Sequence, residues 1–119
     1  MADRSEYPQF IFNPDADVRK LAWENHVVLV AVQASLGNVG PDVRGIAVEA
    51  GADRVTFHVA LGQRSPRSDE DIDDMLVEFD AGTAGCVQGD FTLGTVVTVG
   101  DAGPGWSGYP WRRIFLAHG

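Results

Sequence analysis

Between Arg54 and Leu61 the side chains alternate: Val55, Phe57, Val59 and Leu61 in one phase, Thr56, His58 and Ala60 in the other. A period of two over eight residues predicts a strand with one buried face. Asp42–Ala50, with Ile46 and Val48 in phase, predicts a second strand just before it. Gly51-Ala52-Asp53 supplies turn chemistry between them, so the two are expected to form an antiparallel hairpin.

Two stretches have a helical period. Val18, Leu21, Ala22, Asn25, Val28, Leu29, Val32 and Leu36 recur at three and four residues and, Asn25 aside, make one apolar face. Asn13-Pro14-Asp15 has the residues of a helix start, and Gly37 with Pro41 those of a stop. Val27–Val32 alone would suit a strand, but the helical period continues through it and predicts one helix to about Leu36. Farther on, Ser68-Asp69-Glu70-Asp71 reads as a capping box, and Ile72, Met75, Leu76 and Phe79 follow as a helix face ending at Ala81-Gly82.

Phe91–Val99 predicts a third strand, with Phe91, Leu93, Val97 and Val99 on one face. Trp111–His118 predicts a fourth, with Ile114 and Leu116 opposite Phe115 and Ala117, and Gly100–Pro110 is expected to be the loop of a hairpin between them. Residues 1–12 read as an N-terminal arm whose Tyr7, Phe10, Ile11 and Phe12 can pack on the body. The expectation is a single α+β domain over 1–119, ordered α-β-β-α-β-β. Its four-stranded, mostly antiparallel sheet carries two helices on one face, and a parallel pair is open to the crossover through the second helix.

Composition narrows the function. A chain of 119 residues with 45% hydrophobic residues can bury a core without staples. Its one cysteine, Cys86, cannot form a disulfide framework. The opening stretch is polar, with Pro8 and Pro14, and shows no signal-peptide pattern. The longest apolar run, Val27–Val32, is six residues, against about 20 for a membrane span. The cytoplasm is the expected location.

Charge changes the picture more. The formal net charge is −8, and from Ser68 to Trp111 there are nine acids and no Lys or Arg. The remaining chain carries eight acids against nine bases, so the whole excess lies in one stretch. Such a field repels phosphate backbones and anionic membranes and attracts basic proteins. The candidate partner-binding residues are therefore Asp69, Glu70, Asp71, Asp73, Asp74 and Glu78, since five acids in six positions exceed what helix capping uses.

Candidate chemistry is thin. Gly103-Pro104-Gly105-Trp106-Ser107-Gly108 matches G-x-G-x-x-G in letters, but Pro110 follows and too little chain remains for the helix that would face a pyrophosphate. Ser107 has no base near it in sequence among His26, His58 and His118. The acids of 69–74 lack the central Gly and distal Glu of an EF-hand, and the histidines lack zinc spacing. No cofactor, no metal and no catalysis are expected. Trp106, Tyr109 and Trp111 sit among Gly, Ser and Pro. Such aromatics anchor interfaces or fold back to cap a core, and the pattern leaves both readings open.

The layout resembles the small bacterial immunity proteins of polymorphic toxin systems, including contact-dependent inhibition. The likeness spans about Pro14 to Ala117: the long first helix, Leu36-Gly37 through Pro41, the strand Val43-Arg44-Gly45-Ile46-Ala47-Val48-Glu49, the acidic helix Ser68–Phe79, then two strands and an aromatic loop. The resemblance implies a cytoplasmic, non-enzymatic protein that binds a cognate toxin domain, often a basic nuclease. It carries over no functional residue by position. In that role the acids would meet the toxin's lysines and arginines, Trp106 and Tyr109 would anchor, and a homodimer stays open. The alternative is a homo-oligomeric ligand-binding or enzymatic domain with a site near His58, Cys86 and the 103–111 loop.

Overall fold

The alternating stretch at Arg54–Leu61 is an interior strand of the sheet, paired along both its edges. The computed structural model describes residues 16–51, 53–83 and 91–117. Their elements are α1 (Ala16–Ser35), β1 (Val43–Ala50), β2 (Arg54–Leu61), α2 (Pro66–Thr83), β3 (Thr92–Val99) and β4 (Arg112–Leu116). This is the expected α-β-β-α-β-β order. The N-terminal arm, the helix start at Asn13-Pro14, Cys86 and His118 lie outside the described residues.

The sheet order is β3-β2-β1-β4. β1 pairs antiparallel with β2 and with β4, while β2 pairs parallel with β3 through eight consecutive positions, so the sheet is mixed. The parallel pair is the one that the crossover through α2 produces. β3 and β4 occupy opposite edges, so residues 100–111 are not a hairpin loop. They must cross the sheet, roughly three strand spacings of about 4.8 Å each.

Pleating sorts the residues of β1 and β2 onto two faces. Ile46, Val48, Val55, Phe57, Val59 and Leu61 join α1 and α2 in the main core. Phe79 of α2 meets Phe57 edge-on at 5.1 Å and Phe91 at 6.3 Å. Both helices thus cover one face, as the sequence predicts. The other face carries Gly45, Ala47, Glu49, Thr56, His58 and Ala60, whose register pairs are Gly45↔Ala60, Ala47↔His58 and Glu49↔Thr56. β4 departs from strict alternation. A bulge in its pairing with β1 skips Ile114, and Ile114 and Phe115 both pack against the main core.

The helix ends show why the segments stop where they do. Gly37 has φ of 83°, the left-handed cap, and the Asn38 side-chain amide donates to the Ala34 carbonyl at 2.9 Å. At the start of α2 the cap lies one turn before the predicted box. The Ser65 hydroxyl accepts the Ser68 N–H at 3.1 Å, and the Ser68 hydroxyl accepts the Ser65 N–H at 2.9 Å. Pro66 sits between them at the first helical position, where its missing N–H costs nothing.

Candidate functional site

α1 does not bury the face its spacing predicts. Trp23, Val27, Val30, Ala31 and Ala34 are in the core, while Leu21, Leu29, Val32 and Leu36 are 55, 59, 37 and 70% exposed, and Asn25 is exposed with them. At 100° per residue these two sets lie on opposite sides of the helix. α1 is apolar on both, and Trp23 decides which turns inward. Its ring is fully buried, its indole N–H donates to the Gly51 carbonyl at 2.8 Å, and Phe91 packs edge-on at 5.4 Å.

α2 lies beside α1, with Val30 closing over Gly82. It buries Ser68, Ile72, Met75, Phe79 and Thr83. The opposite side carries Glu70, Asp73, Asp74 and Glu78, all exposed, together with Val77. Asp69 makes an exposed ion pair with Arg64 at 2.8 Å, and Asp71 leans its carboxylate over Gly40. Among the described residues no three His, Cys, Asp or Glu side chains gather as metal ligands would. The outer surface of the helical layer thus sets an uncovered apolar stripe beside a row of carboxylates.

The aromatic loop lies on the other side of the sheet. Three turns tighten it, with the N–H groups of Trp106, Tyr109 and Trp111 donating to the carbonyls of Gly103, Trp106 and Gly108 at 3.0–3.1 Å. Trp106 is only 6% exposed and packs on Ala47 and Ala60 with Ala102 beside it. Glycines make that approach possible. A Cβ at Gly45 would stand 2.5 Å from the Ala102 Cβ, and one at Gly108 2.6 Å from the Trp106 ring. Trp106 is therefore a cap on the sheet. Tyr109 stays exposed, with the Arg113 guanidinium 4.5 Å from its ring centroid.

Beneath this loop lies His58, as the alternative reading placed it, in a contact with Ser107 that sequence spacing did not show. The Ser107 hydroxyl is 2.9 Å from His58 Nδ1, and Glu49 Oε1 is 2.9 Å from His58 Nε2. Ser107 does have a histidine partner, 49 residues away in sequence. A carboxylate only accepts, so Nε2–H donates to Glu49, which leaves Nδ1 to share a hydrogen bond with the hydroxyl. Trp111 stacks over the imidazole at 6.5 Å and 17°. The one signal available was phase: Glu49, facing Thr56 in the hairpin register, shares the reverse face with His58. Cys86, the third member of the alternative site, lies outside the described residues.

This geometry defines a small α+β protein with one chemically two-toned helical face and no helix, among the described residues, long and apolar enough to cross a membrane. Residues 24–93 match the family model described as MafI2 immunity protein, more than half of the chain, and the chain belongs to that family. No curated protein matches it. The matched span includes most of α1 and all of α2 and ends before Ser107.

Proposed function

We propose that the chain acts in the cytoplasm as a non-catalytic inhibitor, neutralising a basic toxin domain by covering it with the outer face of its helical layer. The observation that carries this reading is the pairing of surfaces on α1 and α2. Leu21, Leu29, Val32 and Leu36 are large apolar side chains left in water, and such stripes mark contact surfaces. The carboxylates of Glu70, Asp73, Asp74 and Glu78 flank them, the rim that a basic partner matches. Asp69 and Asp71 extend the row, each with a contact of its own. A nuclease fits, because the lysines and arginines that hold phosphate would meet these acids. Trp106 and Tyr109, across the sheet, stand outside this surface.

The test uses the toxin domain that the full chain neutralises on co-expression. Asp73→Lys with Asp74→Lys is expected to slow association at least tenfold and flatten its salt dependence, and Leu29→Asp to speed dissociation. Unchanged kinetics in both variants would remove the helical layer from the interface.

Ser107, His58 and Glu49 favour a second reading, a serine hydrolase. A hydroxyl, an imidazole and a carboxylate in sequence are the parts of an activated nucleophile. Covalent labelling of Ser107 by an alkyl fluorophosphonate, lost in His58→Gln, would support it. Absence of labelling leaves the three residues the role of fastening the loop to the sheet.

A further inference from the structure

The two edges of the sheet are built differently. β4 is short, follows Pro110, carries Arg112 and Arg113, and has a bulge in its register. Each of these features discourages another strand from adding to an edge. β3 has none of them. It is eight residues long, its sequence is Thr-Leu-Gly-Thr-Val-Val-Thr-Val, and its pairing with β2 runs without a shift. Among the described residues nothing pairs with its outer side.

The backbone tells which groups face outward. The Thr92 and Gly100 N–H groups donate to Asp53 and Leu61 carbonyls on the β2 side, both at 2.8 Å. Alternation then turns Leu93, Thr95, Val97 and Val99 outward, each with an unused N–H and C=O. A two-fold axis through Val96 sets Leu93 opposite Val99 and Thr95 opposite Val97, which uses all four. In an antiparallel ladder each such pair exchanges two hydrogen bonds. The side chains agree with this register. Val96 and Val99 are 38 and 63% exposed. Across the axis Val96 meets its own copy, and Val99 meets Leu93. No charged side chain lies on the strand to oppose its twin.

We propose that β3 pairs with β3 of a second copy about this two-fold, joining two four-stranded sheets into one of eight strands. The pairing leaves the outer face of the helical layer free, so it stands or falls separately from the toxin reading. A cost opposes it: each copy carries −8, and the repulsion weakens as salt screens it.

Sedimentation equilibrium on the full chain decides the matter. The expected result is a monomer–dimer equilibrium whose dissociation constant falls as sodium chloride rises. Thr95→Pro removes an outward N–H and no bond to β2, and Val96→Lys puts two ammonium groups face to face. Each is expected to weaken the dimer roughly tenfold or more. Far-UV circular dichroism checks the fold, and Val96→Lys decides if Thr95→Pro unfolds. A wild-type chain monomeric at about 0.5 mM in 0.5 M salt, where the Debye length is only about 4–5 Å, overturns the proposal, as does a dimer indifferent to Val96→Lys. Toxin kinetics unchanged by Asp73→Lys with Asp74→Lys and by Leu29→Asp, with the dimer intact, would count against the toxin reading alone.

Discussion

Trp106 spends its large ring on a face that the helices do not cover, and its indole N–H has no hydrogen-bond partner among the described residues. A buried, unpaired donor costs about 1–3 kcal/mol, so the residue contributes less than its area suggests. Trp106→Phe, which removes the donor and keeps most of the ring, is expected to cost under about 1.5 kcal/mol, whereas Trp106→Ala should cost about 3–5 kcal/mol. Urea unfolding of the two variants checks the gap, and a loss well above about 1.5 kcal/mol in Trp106→Phe would show that removing the N–H relieves no penalty. His26 gives a pH prediction. Burial beside Trp23, whose ring lies 6.1 Å away, pushes its pKa below the ordinary 6.5. The unfolded chain therefore binds a proton that the folded chain resists, and stability falls as pH drops below about 6.5, the loss levelling off beneath the folded pKa. His26→Gln should flatten the unfolding free energy over that window; a slope identical to the wild type's would assign the acid sensitivity elsewhere. The capping of the sheet by this loop was legible as one of two readings and its nearness to His58 as an alternative, but the Ser107–His58 contact was not, because the two residues are 49 positions apart and only the packing of the loop on β2 joins them.

At the scale of elements, the pattern of hydrophobic positions located every helix and strand among the described residues but misplaced two of their faces. β2 was readable because its two phases differ sharply in polarity. α1 was not, because Leu21, Leu29, Val32 and Leu36 on one side match Trp23, Val27, Val30 and Ala34 on the other. Periodicity cannot choose between two apolar stripes, and packing against Phe91 and Gly51 does. β4 misled in another way, since its bulge breaks the alternation that placed Ile114 opposite Phe115. The acidic row on α2 was legible as composition, yet its separation from the Trp106 loop was not, because it follows from strand order. The inverted face of α1 has a direct consequence for mutagenesis. Leu29→Ser and Leu36→Ser should change stability by about 0.5 kcal/mol or less, as surface sites do, while Val27→Ala should cost about 1–3 kcal/mol. Thermal unfolding of the isolated protein distinguishes them. Large losses at Leu29 and Leu36 would mean that this stripe is already covered in the free chain.

The whole molecule is polarised in layers. Carboxylates crowd the outer helix, the sheet lies beneath, and Arg44, Arg112 and Arg113 are exposed on β1 and β4 toward the other edge. Only one α2 acid, Asp69, is neutralised by a guanidinium among the described residues, and that pair is exposed on both sides, so it holds little of the field back. The two associations proposed for this chain therefore respond to salt with opposite sign. A basic toxin is drawn by the field, and raising sodium chloride from about 0.05 to 0.5 M, which shortens the Debye length from about 14 to 4–5 Å, should slow its capture by about one to two orders of magnitude. Self-pairing through β3 works against the same field, and the same change should tighten it. Stopped-flow capture of the toxin domain and sedimentation of the chain alone, in matched buffers, give the two slopes. Parallel slopes would mean that one of the two surfaces is wrongly assigned. A toxin association rate indifferent to salt would take the acids of α2 out of the encounter, leaving the apolar stripe on α1 to account for recognition.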